Sequence, residues 1–579
     1  MNLASTLRKL KVSGPHALVI IATVVGLTTA AGALAFRALI GYFNHLFFGL
    51  TDQKLIQVFG GEFKFWMPLI PMLGGLLVGP IVFRFSREAR GHGVPEVMNA
   101  VARLGGIIRP RVAAAKAVAS AICIGSGGSA GREGPIVQIG SALGSTIGQY
   151  LRLSEDRIKV LVGCGAAAGI SSVFNAPIAG VMFSVEVILG DFTIATFSPV
   201  LVSSVVASVL TRSVLGDHPA FTIPGYSLVS AWEIPLYMTL GIILGAVAVL
   251  FTRSLDALDD FFDHLKTPDL LKPAMGGLLL GAIAIFFPQV LADGYDTIRL
   301  SLNGQIVLWL LLILVPLKIL ATSLTLGSGN SGGIFAPSLF MGAMAGGVFG
   351  IVANRLFPGT TASSGAYALV GMAGLVAGTT HAPMTALLII FEMTNDYRIV
   401  LPLMVTVAVA SLVSRLLFSN SIYTIKLAKR GIDIRAGKDI NVLRAHTARE
   451  IIVTEYGSIP LSATIPAMLS KMEQSRGSDL IVTNKDGHLQ GLITFQDIRS
   501  VVTKHELDML IVADDIVHRE IEAVLMDSTL EEVMNAFNIR GIGALPVVDN
   551  KSSNKVIGII RRDDLIEFYN QKLIEHLKR

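Results

Sequence analysis

Cysteine is almost missing from this chain, and charge is scarce. Cys123 and Cys164 are the only two cysteines in 579 residues, and both lie in apolar stretches, so no disulfide framework holds the fold. Asp, Glu, Lys and Arg make up 15% of the residues against 52% hydrophobic, and the mean hydropathy is +0.64. Soluble domains carry about a quarter charged residues, so this deficit places the chain in the membrane class. The net charge of +5 is ordinary for a membrane protein with basic loops and implies no nucleic-acid partner. No cleavable leader is evident. The apolar run 17–39, interrupted only by Arg37, is long enough to span a bilayer, and Arg8, Lys9 and Lys11 before it point to a cytoplasmic N-terminus. A phosphate-loop pattern ending in Gly-Lys-Ser/Thr is also missing from the glycine-rich stretches.

Glycine, by contrast, is abundant at 58 residues, and one glycine-rich stretch organises the chain. Residues 125–135 read Gly-Ser-Gly-Gly-Ser-Ala-Gly-Arg-Glu-Gly-Pro between apolar flanks at 112–124 and 136–147. A charge in mid-bilayer costs about 2.5–3.5 kcal/mol, which marks Arg132 and Glu133 as functional candidates. From Gly134 the pattern predicts a helix with Pro135 in its first turn, where a missing N–H costs nothing. A helix N-terminus beside free glycine amides binds anions, so Glu133 is an anion tethered at the mouth of an anion site.

The stretch recurs. Gly125, Gly127, Gly131, Pro135 and Gly140 fall on Gly327, Gly329, Gly333, Pro337 and Gly342, each displaced by 202 positions, and Pro71, Gly74, Gly75 and Gly79 fall on Pro273, Gly276, Gly277 and Gly281 by the same offset. Further on, Asn175-Ala176-Pro177 matches His381-Ala382-Pro383, and Glu186 matches Glu392 at an offset of 206. Two homologous halves with broken helices in corresponding positions predict one site near the midplane, between the halves. Glu186 and Glu392, being equivalent, are expected to cap or hydrogen-bond within the bundle. Apolar segments such as 112–124, 366–377 and 382–391 are shorter than the ~17 residues a single span needs, as in re-entrant helices packed inside protein. Gly327 to Gly332 fits G-x-G-x-x-G, but a dinucleotide site needs a βαβ unit, and here an apolar helix precedes the motif.

Beyond Asp439 charged residues become frequent, and a second repeat begins. The strands 480–482 and 489–494 with a helix from Asp497 recur as 544–548 and 556–560 with a helix from Asp564, which predicts a soluble α+β pair. The pair resembles tandem CBS domains, a fold that often binds adenine nucleotides in other proteins. Thr494 and Asp497 follow the nucleotide-contacting pattern, and Asp564 repeats the acid while Arg561 replaces the threonine. By residues alone, Asp497 and Asp564 could equally be helix caps.

The membrane region resembles the CLC family of chloride channels and proton-coupled chloride antiporters. The resemblance is carried by Gly91-His92-Gly93-Val94-Pro95-Glu96, Gly131-Arg132-Glu133-Gly134-Pro135, Gly333-Ile334-Phe335-Ala336-Pro337 and Tyr423, in that order. It implies an α-helical polytopic membrane protein with an inverted internal repeat, followed by the CBS pair. The implied domains are a lead-in at 1–14, a transmembrane domain at 15–430 with repeats at about 65–215 and 270–420, a linker at 431–444, and CBS domains at 445–505 and 517–575. It also implies a homodimer in the cell (inner) membrane with one pore per subunit and cytoplasmic CBS domains. The chain would be no enzyme, would require no cofactor or metal, and would take chloride as substrate, with an adenine nucleotide as the CBS ligand.

Carried over residue by residue, Glu133 is the gate, and His92, Gly93, Gly131, Arg132, Gly134, Ile334, Phe335 and Tyr423 form the chloride-binding set. Two positions depart from the family. His92 stands where serine or proline is usual, and Val187 stands where the antiporters carry a proton-relaying glutamate. Val187 favours a passive channel; the intact Glu133 and Tyr423 keep the antiporter as the alternative.

Overall fold

The computed structural model describes residues 15–49, 66–217, 221, 226, 228–394, 396–432, 443, 446–475, 479–502, 511–519, 521, 523–540, 542–550 and 554–578. The expected lead-in at 1–14 and most of the expected linker lie outside them. The chain divides into two compact units, Met1–Ile432 and Asp433–Arg579.

In the first unit, α1 (Pro15–Asn44) precedes seven helices of the first half: α2 (Leu69–Pro80), α3 (Val94–Arg103), α4 (Pro110–Gly125), α5 (Glu133–Tyr150), α6 (Glu155–Phe174), α7 (Pro177–Phe183) and α8 (Ile194–Leu215). After α9 (Glu233–His264) the second half repeats them: α10 (Lys272–Phe286), α11 (Tyr295–Leu302), α12 (Leu308–Gly327), α13 (Phe335–Leu356), α14 (Ser364–Thr380), α15 (Pro383–Thr394) and α16 (Val400–Leu417). The short α17 (Ile425–Lys429) follows Tyr423. Among the described residues, eight helices are long and apolar enough to cross a membrane, and three apolar ones are shorter. Of the shorter ones, Pro177–Leu189 is largely buried, whereas Leu69–Phe85 leaves Leu73, Leu76, Leu77 and Phe85 exposed.

Corresponding sequence signals end corresponding helices. Asn175 and His381 close α6 and α14 in the left-handed conformation, at φ 57° and 58°, and the Ala-Pro after each starts the next helix with a residue that needs no N–H partner. The halves are tied reciprocally. The Glu392 carboxylate accepts the amides of Ile178 (3.0 Å) and Ala179 (2.7 Å) in the first turn of α7. Glu186 accepts those of Met384 (3.2 Å) and Thr385 (2.8 Å) in the first turn of α15, together with the Thr385 hydroxyl. Each glutamate thus satisfies orphan donors of the other half, as expected of equivalent residues around a pseudo-two-fold axis.

The second unit holds two three-stranded sheets of the same order. In the first, β1 (Ser458–Ile459) runs parallel to β2 (Asp479–Thr483), which pairs antiparallel with β3 (Leu489–Thr494). In the second, β4 (Val524–Leu525), β5 (Ala544–Val548) and β6 (Val556–Arg561) repeat that arrangement. Alternation along β2 explains the packing. Leu480 and Val482 join one core with Ile465, Met468 and Ile493, whereas Ile481 faces Ala544, Val548 and Ile559 of the sister sheet. The helices after β3 and β6 are Phe495–Val502 and Arg562–Lys578, so Asp497 and Asp564 lie inside first turns rather than at cap positions.

Candidate functional site

The two glycine-rich motifs meet where the repeat predicts. The Gly131 amide donates to the Gly333 carbonyl (2.8 Å) and the Gly333 amide returns the bond to the Gly131 carbonyl (2.6 Å). A Cβ on Gly333 would stand 2.8 Å from the Gly134 nitrogen, and one on Gly134 would meet the His92 carbonyl, so only glycine permits this approach. The result aims the N-termini of α5 and α13 at one region. Their first amides have no partners within the helix and carry the positive end of the dipole. Ile334 and Phe335 open α13, both buried, and the Phe335 ring packs on Phe174 at 5.2 Å.

A third strand of the site comes from the loop before α3. Gly91 and Gly93, at φ +70° and +83°, turn the chain around the buried His92. The His92 ring lies 5.6 Å from that of Tyr423, itself buried and edge-on to Phe183. His92 Nδ1 is buried without a hydrogen-bond partner among the described residues. The loop is anchored by Lys116, fully buried, whose ammonium donates to the carbonyls of Gly91 (2.6 Å) and Ala89 (3.1 Å). Its repeat counterpart Lys318 does the same for Val290 and Ala292, at 2.9 Å each.

Glu133 heads α5 and is 1% exposed. Among the described residues no cation forms a salt bridge with it; Oε1 accepts the Tyr295 hydroxyl at 3.0 Å, and Oε2 has no hydrogen-bond partner. Oε2 lies over Gly131, where a Cβ would collide with it. The neighbouring Arg132 points to the Tyr295 ring, 5.3 Å from its centroid. The structure thus brings Glu133, Gly131, Gly134, Gly93, His92, Ile334, Phe335 and Tyr423 into one buried neighbourhood at the meeting of the two motifs.

This arrangement matches a known family over most of the membrane region. The family described as voltage gated chloride channel matches residues 74–415, and CBS domains match 448–504 and 512–571. The chain belongs to the voltage-gated chloride channel, or CLC, family. A ClcB-like protein of Ralstonia nicotianae is 35% identical over 71% of this chain and 97% of the relative. The protein named H(+)/Cl(-) exchange transporter ClcA from Vibrio campbellii is 32% identical over 69% of this chain and 88% of its own length. Among solved structures, a slow cyanobacterial Cl−/H+ antiporter superposes with TM-score 0.66 at 28% identity, over 71% of this chain and 97% of that one. The CLC membership fits the helical architecture, the CBS pair and a role in anion transport.

The CBS positions do not act alike. Asp497 Oδ2 accepts the Thr494 amide (2.8 Å) and hydroxyl (2.7 Å), and Oδ1 meets His518 Nε2 at 3.0 Å. Burial pushes this carboxyl up, but the Thr494 and His518 hydrogen bonds outweigh it and hold it below the ordinary carboxylate range. Asp564 instead lines a cavity of ≈ 930 Å³ together with Tyr456, Gly457, Arg561 and Phe568. Its Oδ2 and the Arg561 Nε are buried without hydrogen-bond partners among the described residues.

Sequence reasoning did not single out Tyr295, Lys116 or Lys318. The repeat offset of 202 would have found all three: it carries Gly93 to Tyr295 and Lys116 to Lys318.

Proposed function

We propose that this CLC protein moves chloride across a membrane through one path per subunit, gated by Glu133, and exchanges it for protons. The observation that carries the gate is a buried carboxylate that, among the described residues, has no salt-bridging cation and leaves one oxygen unpartnered, standing where two helix N-termini converge. An ionised Glu133 takes the outer anion position; a protonated one releases the amides to chloride. His92, Gly93, Gly131, Gly134, Ile334, Phe335 and Tyr423 bind the passing anion by partial charges, weakly enough to let it leave, with Arg132 the one full positive charge in the set. Exchange is supported by the relatives named as exchangers and antiporters.

Passive conduction is the second reading, favoured by one observation at the inner end. Val187 is buried and cannot carry a proton, and the carboxylate of adjacent Glu186 is already committed to the α15 amides. The deciding experiment is the reversal potential of reconstituted protein under a chloride gradient, with and without an opposing proton gradient. Exchange shifts it; a reversal potential indifferent to protons overturns exchange in favour of conduction.

The reading includes a homodimer in the cell inner membrane with cytoplasmic CBS domains. It also places an adenine nucleotide in the CBS cavity, with Asp564 on the ribose hydroxyls and Tyr456 or Phe568 on the base. Asp497, being bonded to the Thr494 amide and hydroxyl and to His518, has most of its acceptor capacity already taken.

A further inference from the structure

Tyr295 belongs to none of the CLC motifs in this chain, yet it is the one side chain that hydrogen-bonds Glu133 among the described residues. It comes from the opposite half of the repeat. Gly294, at φ +77°, turns the chain into α11 so that Tyr295 is the first helical residue, and a Cβ at Gly294 would stand 2.5 Å from the Phe340 ring. The turn is pinned from behind by Lys318 on the carbonyls of Val290 and Ala292. Three contacts then fix the phenol. Its ring stacks on Phe221 with centroids 5.5 Å apart and planes 23° apart, the Arg132 guanidinium lies 5.3 Å over the ring, and the hydroxyl donates to Glu133 Oε1 at 3.0 Å.

We infer that Tyr295 is a latch for the gate: a positioning residue whose hydroxyl holds the ionised Glu133 carboxylate in the blocking position. The inference rests on Glu133 being the gate. A phenol donates more strongly to a carboxylate than to a neutral acid, so the bond favours the ionised, engaged state. Protonation of Glu133 weakens the bond and frees the side chain. The Phe221 stack does not involve the hydroxyl, so the phenol stays in place when the carboxyl leaves and is ready to receive it again. The other charged and titratable groups around the carboxyl are Arg132 on its own loop, Asp293 in the turn before α11 and Tyr423, with Arg37 of α1 facing Arg132. None of these forms a hydrogen bond to Oε1, so the latch is separable from them by one oxygen atom.

The test is chloride efflux from proteoliposomes as a function of pH for the wild type, Tyr295→Phe, Glu133→Gln and the double variant. Tyr295→Phe keeps the ring and both its stacking contacts. Half-maximal flux should move to higher pH by about one unit, since a hydrogen bond to a charged group is worth about a tenfold change in the equilibrium. The double variant should behave as Glu133→Gln alone, because the latch has nothing ionisable to hold. A wild-type pH profile in Tyr295→Phe, with Glu133→Gln flattened, overturns the latch and leaves the gate standing. The same holds if Tyr295→Phe lowers only the thermal midpoint. A Glu133→Gln profile identical to the wild type overturns gate and latch together.

Discussion

At the residue scale, burial and partner count decide what each group can do. Glu133 bears a charge in an apolar wall at a cost of about 2.5–3.5 kcal/mol, which a purely structural helix-end charge, worth about 0.3–1 kcal/mol, would not offset. Glu133→Gln should therefore conduct at every pH between 5 and 8 with its acid activation lost, as read by chloride efflux; retained acid activation refutes the assignment. His92 is the other distinctive residue. Its ring lies against Tyr423 and its Nδ1 has no partner among the described residues, at the position where most of the family has serine or proline. His92→Ser exchanges the imidazole for a small hydroxyl and should change the chloride-over-nitrate permeability ratio. Unchanged selectivity and anion affinity would remove His92 from the path.

At the scale of elements, the membrane unit is held by pairs of contacts related by the repeat. The crossed caps of Glu186 and Glu392 are the clearest case, each satisfying amides at the start of a helix in the other half. Replacing Glu392 with Ala orphans two donors at the start of α7. Loss of a helix cap typically costs about 1 kcal/mol, so the thermal midpoint in detergent should fall, and Glu186→Ala should fall similarly. The glycine junction is less forgiving. A methyl at Gly333 must displace backbone atoms of Gly131 and Gly134, so Gly333→Ala should cost about 1–3 kcal/mol and depress chloride flux as well. Wild-type flux and stability in that variant would show that the two motifs do not need this approach.

At the scale of the whole molecule, the chain carries a membrane unit and a CBS unit with separate tests. The proposed nucleotide site predicts that Asp564→Ala abolishes binding of an adenine nucleotide to the full-length protein by calorimetry, while Asp497→Ala leaves it intact; the reverse pattern would move the site to Thr494 and Asp497. Asp497 has a further consequence. A carboxyl whose folded value lies below its ordinary 3.8 contributes stability above that pH and loses it as pH falls through the folded value. The CBS unit should therefore weaken in acid below about pH 4, and Asp497→Asn should flatten that loss in thermal scans.

Much of this was legible in the linear chain because it depends on local rules. The 202-residue offset, the glycines flanking Glu133 and the scarcity of charge were enough to place two homologous membrane halves and a site between them, since each signal concerns the backbone of its own segment. The strand-strand-helix repeat of the CBS pair was visible for the same reason. What tertiary structure decided are contacts between residues distant in sequence. Tyr295 reaches Glu133 across 162 positions, and whether its hydroxyl meets that carboxylate depends on how α11 packs beside α5. Asp497 and Asp564 sit at equivalent repeat positions with identical side chains. Folding alone separates them, because His518 closes on the first whereas the second opens into a cavity.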